Sequence, residues 1–310
     1  MTAVCRTVCS LLLLLLSFSP IAGQKGNRGP LVLELPGSTR ALALGNAFAL
    51  ASQESDAVFY QPGRLGRAQG FGASLQRFAD QGTLSTFSAG TSWFGGGVAI
   101  GIQQLSYGTH TPSGSLLVFP SDEAALRNKG DIGVSETVLS VGYGKTLWGI
   151  QMGAVGKLVE QRYGPRKAGT AAVDLGLAST AGPVTLGASV QNLGPDMTMA
   201  GTDRALPTRF ILGVSTDARP VGPLDISAAT ALAYRLDGDV EPSVGLEFGY
   251  WPVNGRTFVG RIGYRYRSDD FTATPLTFGG AFYGDDIVLE YAWQGFEEGD
   301  PAHRFGIGWR

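Results

Sequence analysis

Cysteine is nearly absent from this 310-residue chain: Cys5 and Cys9 are its only two. Both fall within residues 1–23, where Arg6, the apolar run Leu11 to Leu16, the Pro20 break and the small pair Ala22-Gly23 read as a cleaved secretory signal peptide. The apolar run is too short to span a bilayer as a helix. Neither cysteine has a lipobox-like context. The exported part therefore has no thiol chemistry and no disulfide framework, and must be held by hydrogen bonding and packing. Histidine is equally scarce, with only His110 and His303. A Ser–His–Asp arrangement needs a base held by an orienting carboxylate, and His/Cys clusters at ligand spacing are missing. Catalysis and a bound metal or other cofactor are thus not expected. Acidic pairs such as Asp269-Asp270, Asp285-Asp286 and Glu297-Glu298 read as solvated turn residues.

Charge is also in short supply. Only 16% of residues are Asp, Glu, Lys or Arg, and the net charge is −2. A soluble domain carries about a quarter, and a nucleic-acid partner would call for a basic surface. Residues Leu84 to Ser121 contain no charge at all. Their glycines, Pro112 and dense Ser/Thr content argue against a membrane helix, and after residue 23 no stretch offers about 20 predominantly apolar residues. If this chain spans a membrane, it does so with strands.

What is present is alternation. Phe258, Ile262, Tyr264 and Tyr266 fall on one face of a strand and Arg261, Arg265 and Arg267 on the other. Val244, Leu246, Phe248 and Tyr250 oppose Ser243, Gly245, Glu247 and Gly249, and Ile287, Leu289, Tyr291 and Trp293 oppose Val288, Glu290, Ala292 and Gln294. Successive side chains of a strand point to opposite faces. A β-sandwich would produce the same pattern. Tyr and Trp near strand ends (Trp93, Tyr107, Tyr143, Trp148, Tyr163, Tyr234, Trp251, Tyr283, Trp293, Trp309) favour the girdles of a transmembrane barrel. About fourteen strands are predicted, at 69–79, 82–93, 96–107, 135–147, 148–162, 168–180, 182–191, 206–217, 222–235, 240–252, 255–267, 272–283, 285–294 and 302–309. Tight connections alternate with the longer polar loops 108–134, 192–205 and 295–301, as in barrels with short periplasmic turns and long outer loops.

One long stretch does not read as strand: Gly37 to Leu65, GSTRALALGNAFALASQESDAVFYQPGRL. Ala41, Leu42, Leu44, Ala47, Phe48 and Ala51 recur at loose helical spacing, Gly45 interrupts them, and Gln61-Pro62-Gly63 stops any helix. The first helix of a soluble domain would look similar. A compact knot followed by hairpins suggests instead a barrel with its N-terminal segment inside. The expected organisation is a signal peptide (1–23), an N-terminal extension and hatch (24–68) and an outer-membrane barrel (69–310).

The motif Gly-Ser-x-Arg-Ala-Leu-x-x-Gly-x-Ala-Phe, then Asp-Ala-x-x-x-Tyr-x-Pro, resembles the hatch of FadL-like outer-membrane barrels, and most of all the PorV/PorQ branch. Gln191-Asn192-Leu193-Gly194, Leu289 to Trp293 and His303-Arg304-Phe305 are similar to further stretches of that branch. The family writes its hatch turn Asn-Pro-Ala-Gly-Leu, whereas this chain has Gln61-Pro62-Gly63-Arg64-Leu65, and this chain ends on Arg310 where the family ends on an aromatic. The resemblance implies hatch positions Arg40, Gly45, Phe48, Asp56, Tyr60 and Pro62. It implies an accessory of type IX-like protein secretion or surface attachment, with outer-membrane lipid around it and secreted proteins bearing C-terminal sorting domains as partners. The broader FadL-like resemblance implies a passive channel for hydrophobic or amphipathic solutes. A purely structural outer-membrane protein is the third possibility. Strand parity sends Asp174, Arg209, Asp225, Arg235, Glu247, Arg261, Arg265, Glu290 and Arg304 into the lumen, as an ion-pair lattice against the hatch or as a solute lining.

Overall fold

A computed structural model describes residues 29–47, 54–78, 82–110, 132–236, 238–253, 255–267, 273–297 and 299–309. The expected signal peptide, Phe48 and residues 111–131 of the longest loop lie outside the described residues. Seventeen strands form. Fourteen of them close an antiparallel barrel: β1 (Gly70–Phe78), β2 (Gly82–Trp93), β3 (Gly96–His110), β4 (Ile132–Leu147), β5 (Ile150–Tyr163), β6 (Arg166–Ala181), β7 (Val184–Leu193), β10 (Arg209–Thr216), β12 (Leu224–Arg235), β13 (Val240–Val253), β14 (Arg256–Arg265), β15 (Ala273–Tyr283), β16 (Ile287–Phe296) and β17 (Ala302–Trp309). Each pairs with its sequence neighbour in the wall, and β1 closes on β17 with Phe71 opposite Trp309. The other three are small: β8 (Met197–Met199) and β9 (Thr202–Arg204) make a hairpin inside the 194–208 loop, and β11 (Arg219–Val221) folds back on β12.

Both barrel ends, Gly70 and Trp309, lie at the rim that carries the short turns, as an even strand count requires. Two of these turns are two-residue connections with both residues at positive φ, Phe94-Gly95 (45° and 68°) and Trp148-Gly149 (51° and 81°). Such turns match the strand twist, but bulky aromatics rarely adopt them. Here the rings gain a place at the rim: Phe94 is 76% and Trp148 91% exposed, and Tyr143 Oη donates to the Phe94 carbonyl at 3.2 Å.

The barrel is apolar outside and packed inside. Leu75, Phe258, Leu289 and Phe305 stand on the outer face, exposed to the surroundings, while the core residues Val32, Val58, Leu65, Leu84 and Val138 are enclosed in the lumen. An exposed apolar belt around a closed barrel is the arrangement lipid demands, because every strand is paired and no edge is left. Among the described residues no helix is long and apolar enough to cross a membrane; the strands are the membrane-crossing elements. The aromatic girdle is less complete than expected. Tyr107 and Tyr283 face inward, where they hydrogen-bond Glu136 and Arg261, and Tyr163 packs inside against Val134, Met197 and Met199. Placement near a strand end did not fix which face they take; parity did.

Candidate functional site: the hatch and its seat in the lumen

The segment before the barrel runs down the lumen from the long-loop rim to the short-turn rim. Leu31 to Leu35 pack with Leu84, Leu105, Val138, Val159 and Leu206. Ser38 then caps a single helical turn, Thr39–Ala43, its Oγ accepting from the Ala41 N–H at 3.1 Å. The turn goes no further because Gly45 and Asn46 both take φ of 63°. The apolar spacing continues into residues 48–53, which lie outside the described residues; short 3₁₀ turns at Ser55–Phe59 and Pro62–Arg67 complete the described part.

Glycine explains how backbone fits inside. A Cβ added to Gly153 would lie 1.9 Å from the Pro62 carbonyl oxygen, and one on Gly97 2.0 Å from that of Leu65. Added to Gly144 and Gly176, it would meet the Gly66 and Gly63 nitrogens at 2.7 Å. These four wall glycines, on β3 to β6, cut a seat for the Gln61 to Gly66 turn. Gly63 is itself constrained, since a Cβ there would come within 2.9 Å of the Leu177 backbone. Only a residue without a side chain lets the two backbones approach this closely.

The opposite wall adds charge to the same kind of seat, where a Cβ on Gly263 would lie 2.1 Å from the Gly45 nitrogen. Glu34 accepts from both Arg235 nitrogens at 3.1 and 3.2 Å and from Arg267 at 2.9 Å, while Glu241 pairs with Arg265 at 2.5 Å. Lower down, Arg40 reaches Glu247 with two nitrogens, at 3.1 and 3.0 Å. Arg261 lies beyond, donating to Glu247 at 2.7 Å, Glu290 at 2.5 Å and Tyr283 Oη at 2.6 Å. Two-nitrogen guanidinium–carboxylate pairs fix orientation as well as charge.

Arg304 acts differently. It is wholly buried, and its five hydrogen bonds all go to neutral oxygens: the Pro36 and Gly37 carbonyls of the hatch at 2.7 and 3.0 Å, and Ser74, Gln76 and Thr86 of the wall at 2.9, 3.4 and 3.0 Å. A guanidinium has five donors in a fixed fork, and here each is used to tie hatch backbone to barrel.

Lumen parity thus places Arg235, Glu247, Arg261, Arg265, Glu290 and Arg304 in direct or second-hand contact with the hatch. Asp174 is paired within the wall, to Lys157 at 2.6 Å and to the Asn192 N–H at 2.7 Å. Arg209 donates to Gln191 Oε1 at 2.7 Å, and Gln191 Nε2 donates onward to the Tyr60 carbonyl at 2.5 Å. Asp225 stands apart, half-buried at the short-turn rim beside Gly249. Of the hatch positions, Tyr60 Oη donates to Asp56 Oδ2 at 2.5 Å, and Asp56 Oδ1 is buried with no hydrogen-bond partner. Burial, helped by the nearby Glu54 carboxylate, pushes the Asp56 carboxyl up to about 6.

Sequence reasoning missed Glu34, Glu136, Lys157, Gln191, Asn192 and Glu241. Parity could have found all but Glu34 and Asn192. Asn192, at φ 59°, leaves the alternation at a register shift, and Lys157, Pro207 and Thr208 all bond it. Glu34 lies in an extension with no periodicity to read. Among the described residues no three His, Cys, Asp or Glu side chains gather as metal ligands would.

No protein-family model and no curated protein matches the sequence. Solved structures do match the fold. The toluene transporter TodX of Pseudomonas putida aligns with a TM-score of 0.52 at 13% identity, over 88% of this chain and 96% of that one. The monoaromatic hydrocarbon channel CymD aligns at 0.54 and 10%, over 87% and 95%. A FadL homologue of Pseudomonas aeruginosa aligns at 0.51 and 8%, over 87% and 97%. The closed barrel of fourteen strands with its N-terminal segment packed in the lumen is thus similar in fold to these solved structures.

Proposed function

We propose that this chain is an outer-membrane channel for small hydrophobic or amphipathic molecules, held closed by its hatch. The observation that carries the reading is a lumen filled along its length by a segment tied only through non-covalent, reversible contacts, in the fold of the hydrocarbon channels named above. Opening would require Glu34 and Arg40 to leave their partners and the Pro36–Gly37 carbonyls to leave Arg304. The chain's own groups make and break no covalent bond in this scheme. They set the energy of the closed state.

A second reading keeps the narrower PorV/PorQ resemblance: an accessory to secretion or surface attachment that binds secreted proteins bearing C-terminal sorting domains. One observation favours it, namely that buried polar and charged wall residues such as Gln191, Arg209, Arg261 and Arg304 interrupt any continuous apolar path beside the hatch.

One crosslink separates the two. A Cβ built on Gly306 lies 3.3 Å from the Thr39 Cβ, close to the roughly 3.5–4.5 Å span of a disulfide. With Thr39→Cys and Gly306→Cys, the hatch can be locked to β17 and released by reductant. Toluene flux into liposomes should be supported by the wild-type barrel, lost on locking and regained on reduction. A wild-type barrel that never raises flux above empty liposomes would sink the channel reading. Normal surface display of exported proteins by the locked form in cells would then favour the accessory.

A further inference from the structure

The outer face carries one feature the transport reading does not use. On the lipid side of β13 to β17, successive strands set the row Phe248, Gly260, Gly280, Tyr291, Phe305 directly opposite one another. The row nearer the long loops has Ile262 and Phe278 above the two glycines, and the row nearer the short turns has Phe258 and Phe282 below them. Gly260 and Gly280 therefore leave a gap in the apolar coat, bordered by Phe248, Phe258, Phe282, Tyr291 and Phe305. The hollow is a shallow groove open to the surroundings, with a volume of about 630 Å³. Phe258 and Phe282 close one end with ring centroids 5.2 Å apart, and Tyr291 and Phe305 close a side at the same spacing.

The charges beneath it complete the pattern. Arg256, exposed, opens β14 on the same face as Phe258 and Gly260. Asp285 is also exposed, and its carboxylate lies beside Gly255, 2.9 Å from where a Cβ there would stand. Arg256 directly follows Gly255 in the chain, so a guanidinium and a carboxylate are both presented at this rim, and together they match a zwitterionic headgroup, phosphate to Arg256 and ammonium to Asp285. Four residues of strand separate Arg256 from Gly260, about 13 Å at the usual rise, which places the hollow at acyl-chain depth above that headgroup.

We propose that this hollow is a binding site for one phospholipid with a phosphoethanolamine head, its acyl chain lying over Gly260 and Gly280 in the leaflet at the short-turn rim. The site is built from both ends: shape selects a chain, and the Arg256–Asp285 pair selects the head. It differs from the general lipid annulus, which a barrel contacts through convex side chains.

The test uses the whole barrel in detergent, offered equal amounts of phosphatidylethanolamine and phosphatidylglycerol with identical chains, and read by native mass spectrometry under collisional activation. The wild type should keep one phosphatidylethanolamine after other lipids are stripped. A side chain at Gly260 meets nothing within 4 Å, so Gly260→Phe fills the hollow without disturbing the wall and should lower retention at least tenfold. Gly260→Leu gives the same reading should the larger ring hinder assembly. Gly156→Phe, on the lipid face of β5 with only a 4.0 Å contact to the Val141 carbonyl, should leave retention unchanged. Asp285→Asn should cut the preference for phosphatidylethanolamine at least threefold while a lipid is still retained. Equal retention by wild type and Gly260→Phe would overturn the proposal, as would an equal loss in Gly156→Phe. So would a barrel dimer that Gly260→Phe dissolves while lipid retention stays the same, which would make this face a contact between copies.

Discussion

The two halves of the lumen wall both seat the hatch on glycine, but only one adds ion pairs to it. On β3 to β6 the contact is steric, with Gly97, Gly144, Gly153 and Gly176 admitting backbone and neutral groups such as Gln61 bonding the Leu177 carbonyl at 3.2 Å. On β12 to β16 glycine also admits the hatch, a Cβ on Gly263 falling 2.1 Å from the Gly45 nitrogen and one on Gly245 2.8 Å from the Leu44 carbonyl oxygen, and an ionic clasp is added, with Glu34 and Arg40 held by Arg235, Arg267 and Glu247. A steric seat tolerates no added atom but is indifferent to salt and pH. An ionic clasp tolerates size changes, yet it depends on both partners being present and charged, since losing one leaves the other desolvated and uncompensated. Ion pairs can be exchanged for water one at a time, whereas a glycine seat is either occupied or not, so the two kinds of contact respond to different changes.

The strongest way to break this comparison is on the steric side. Gly153→Leu places atoms where the Pro62 carbonyl already lies, and should destabilise the closed barrel by about 3 kcal/mol, the upper part of the overpacking range. Urea titration of heat-modifiable gel mobility would measure it, with Gly156→Leu on the outer face near zero as the control. A smaller loss, about 2 kcal/mol, is expected for Glu247→Gln, because Arg40 and Arg261 lose a shared carboxylate in a site that is only partly screened from water. Adding Arg40→Met should restore part of that loss, since Arg261 keeps Glu290 at 2.5 Å. Strict additivity of the two changes would show that the clasp does not act as a unit.

The smallest effect concerns pH. Because the folded-state carboxyl of Asp56 sits near 6, above its ordinary 3.8, the hatch binds more protons than the unfolded chain in that interval. Its contribution is fully present below about pH 4 and declines as pH rises through about 6. Hydrogen exchange of the 54–60 peptide, corrected for intrinsic rate, should therefore be slower at pH 5 than at pH 8. Asp56→Asn should flatten this difference, and a variant that keeps the full pH response would remove Asp56 from the account.

Much of the barrel was legible because a strand in lipid obeys two constraints at once. Leu246 and Phe258 must face hydrocarbon, so Glu247 and Arg261 must face the lumen, and each was placed by parity without any coordinates. Even count and alternating loop lengths followed from closure. Tyr107, Tyr163 and Tyr283 were misread as girdle residues because a ring near a strand end suits either face, and only partners such as Glu136 and Arg261 decide between them. The single helical turn at Thr39–Ala43 stops just before Gly45, the interruption that the apolar spacing already shows, because the burying partner is a surrounding wall, which asks for no continuous helix.

By itself, then, the sequence determined a cysteine-poor, weakly charged chain whose alternation closes into a membrane barrel and whose first segment is not strand. Period-two patterning is local, and lipid outside enforces it at every strand. Only the tertiary structure decided what fills the lumen, which glycines are seats rather than turns, and that Arg304 grips carbonyls instead of a carboxylate. Those contacts join residues far apart in the chain, Gly153 and Pro62 by 91 positions and Gly37 and Arg304 by 267. No local pattern encodes which glycine will meet which backbone; that is settled when the barrel closes around the hatch.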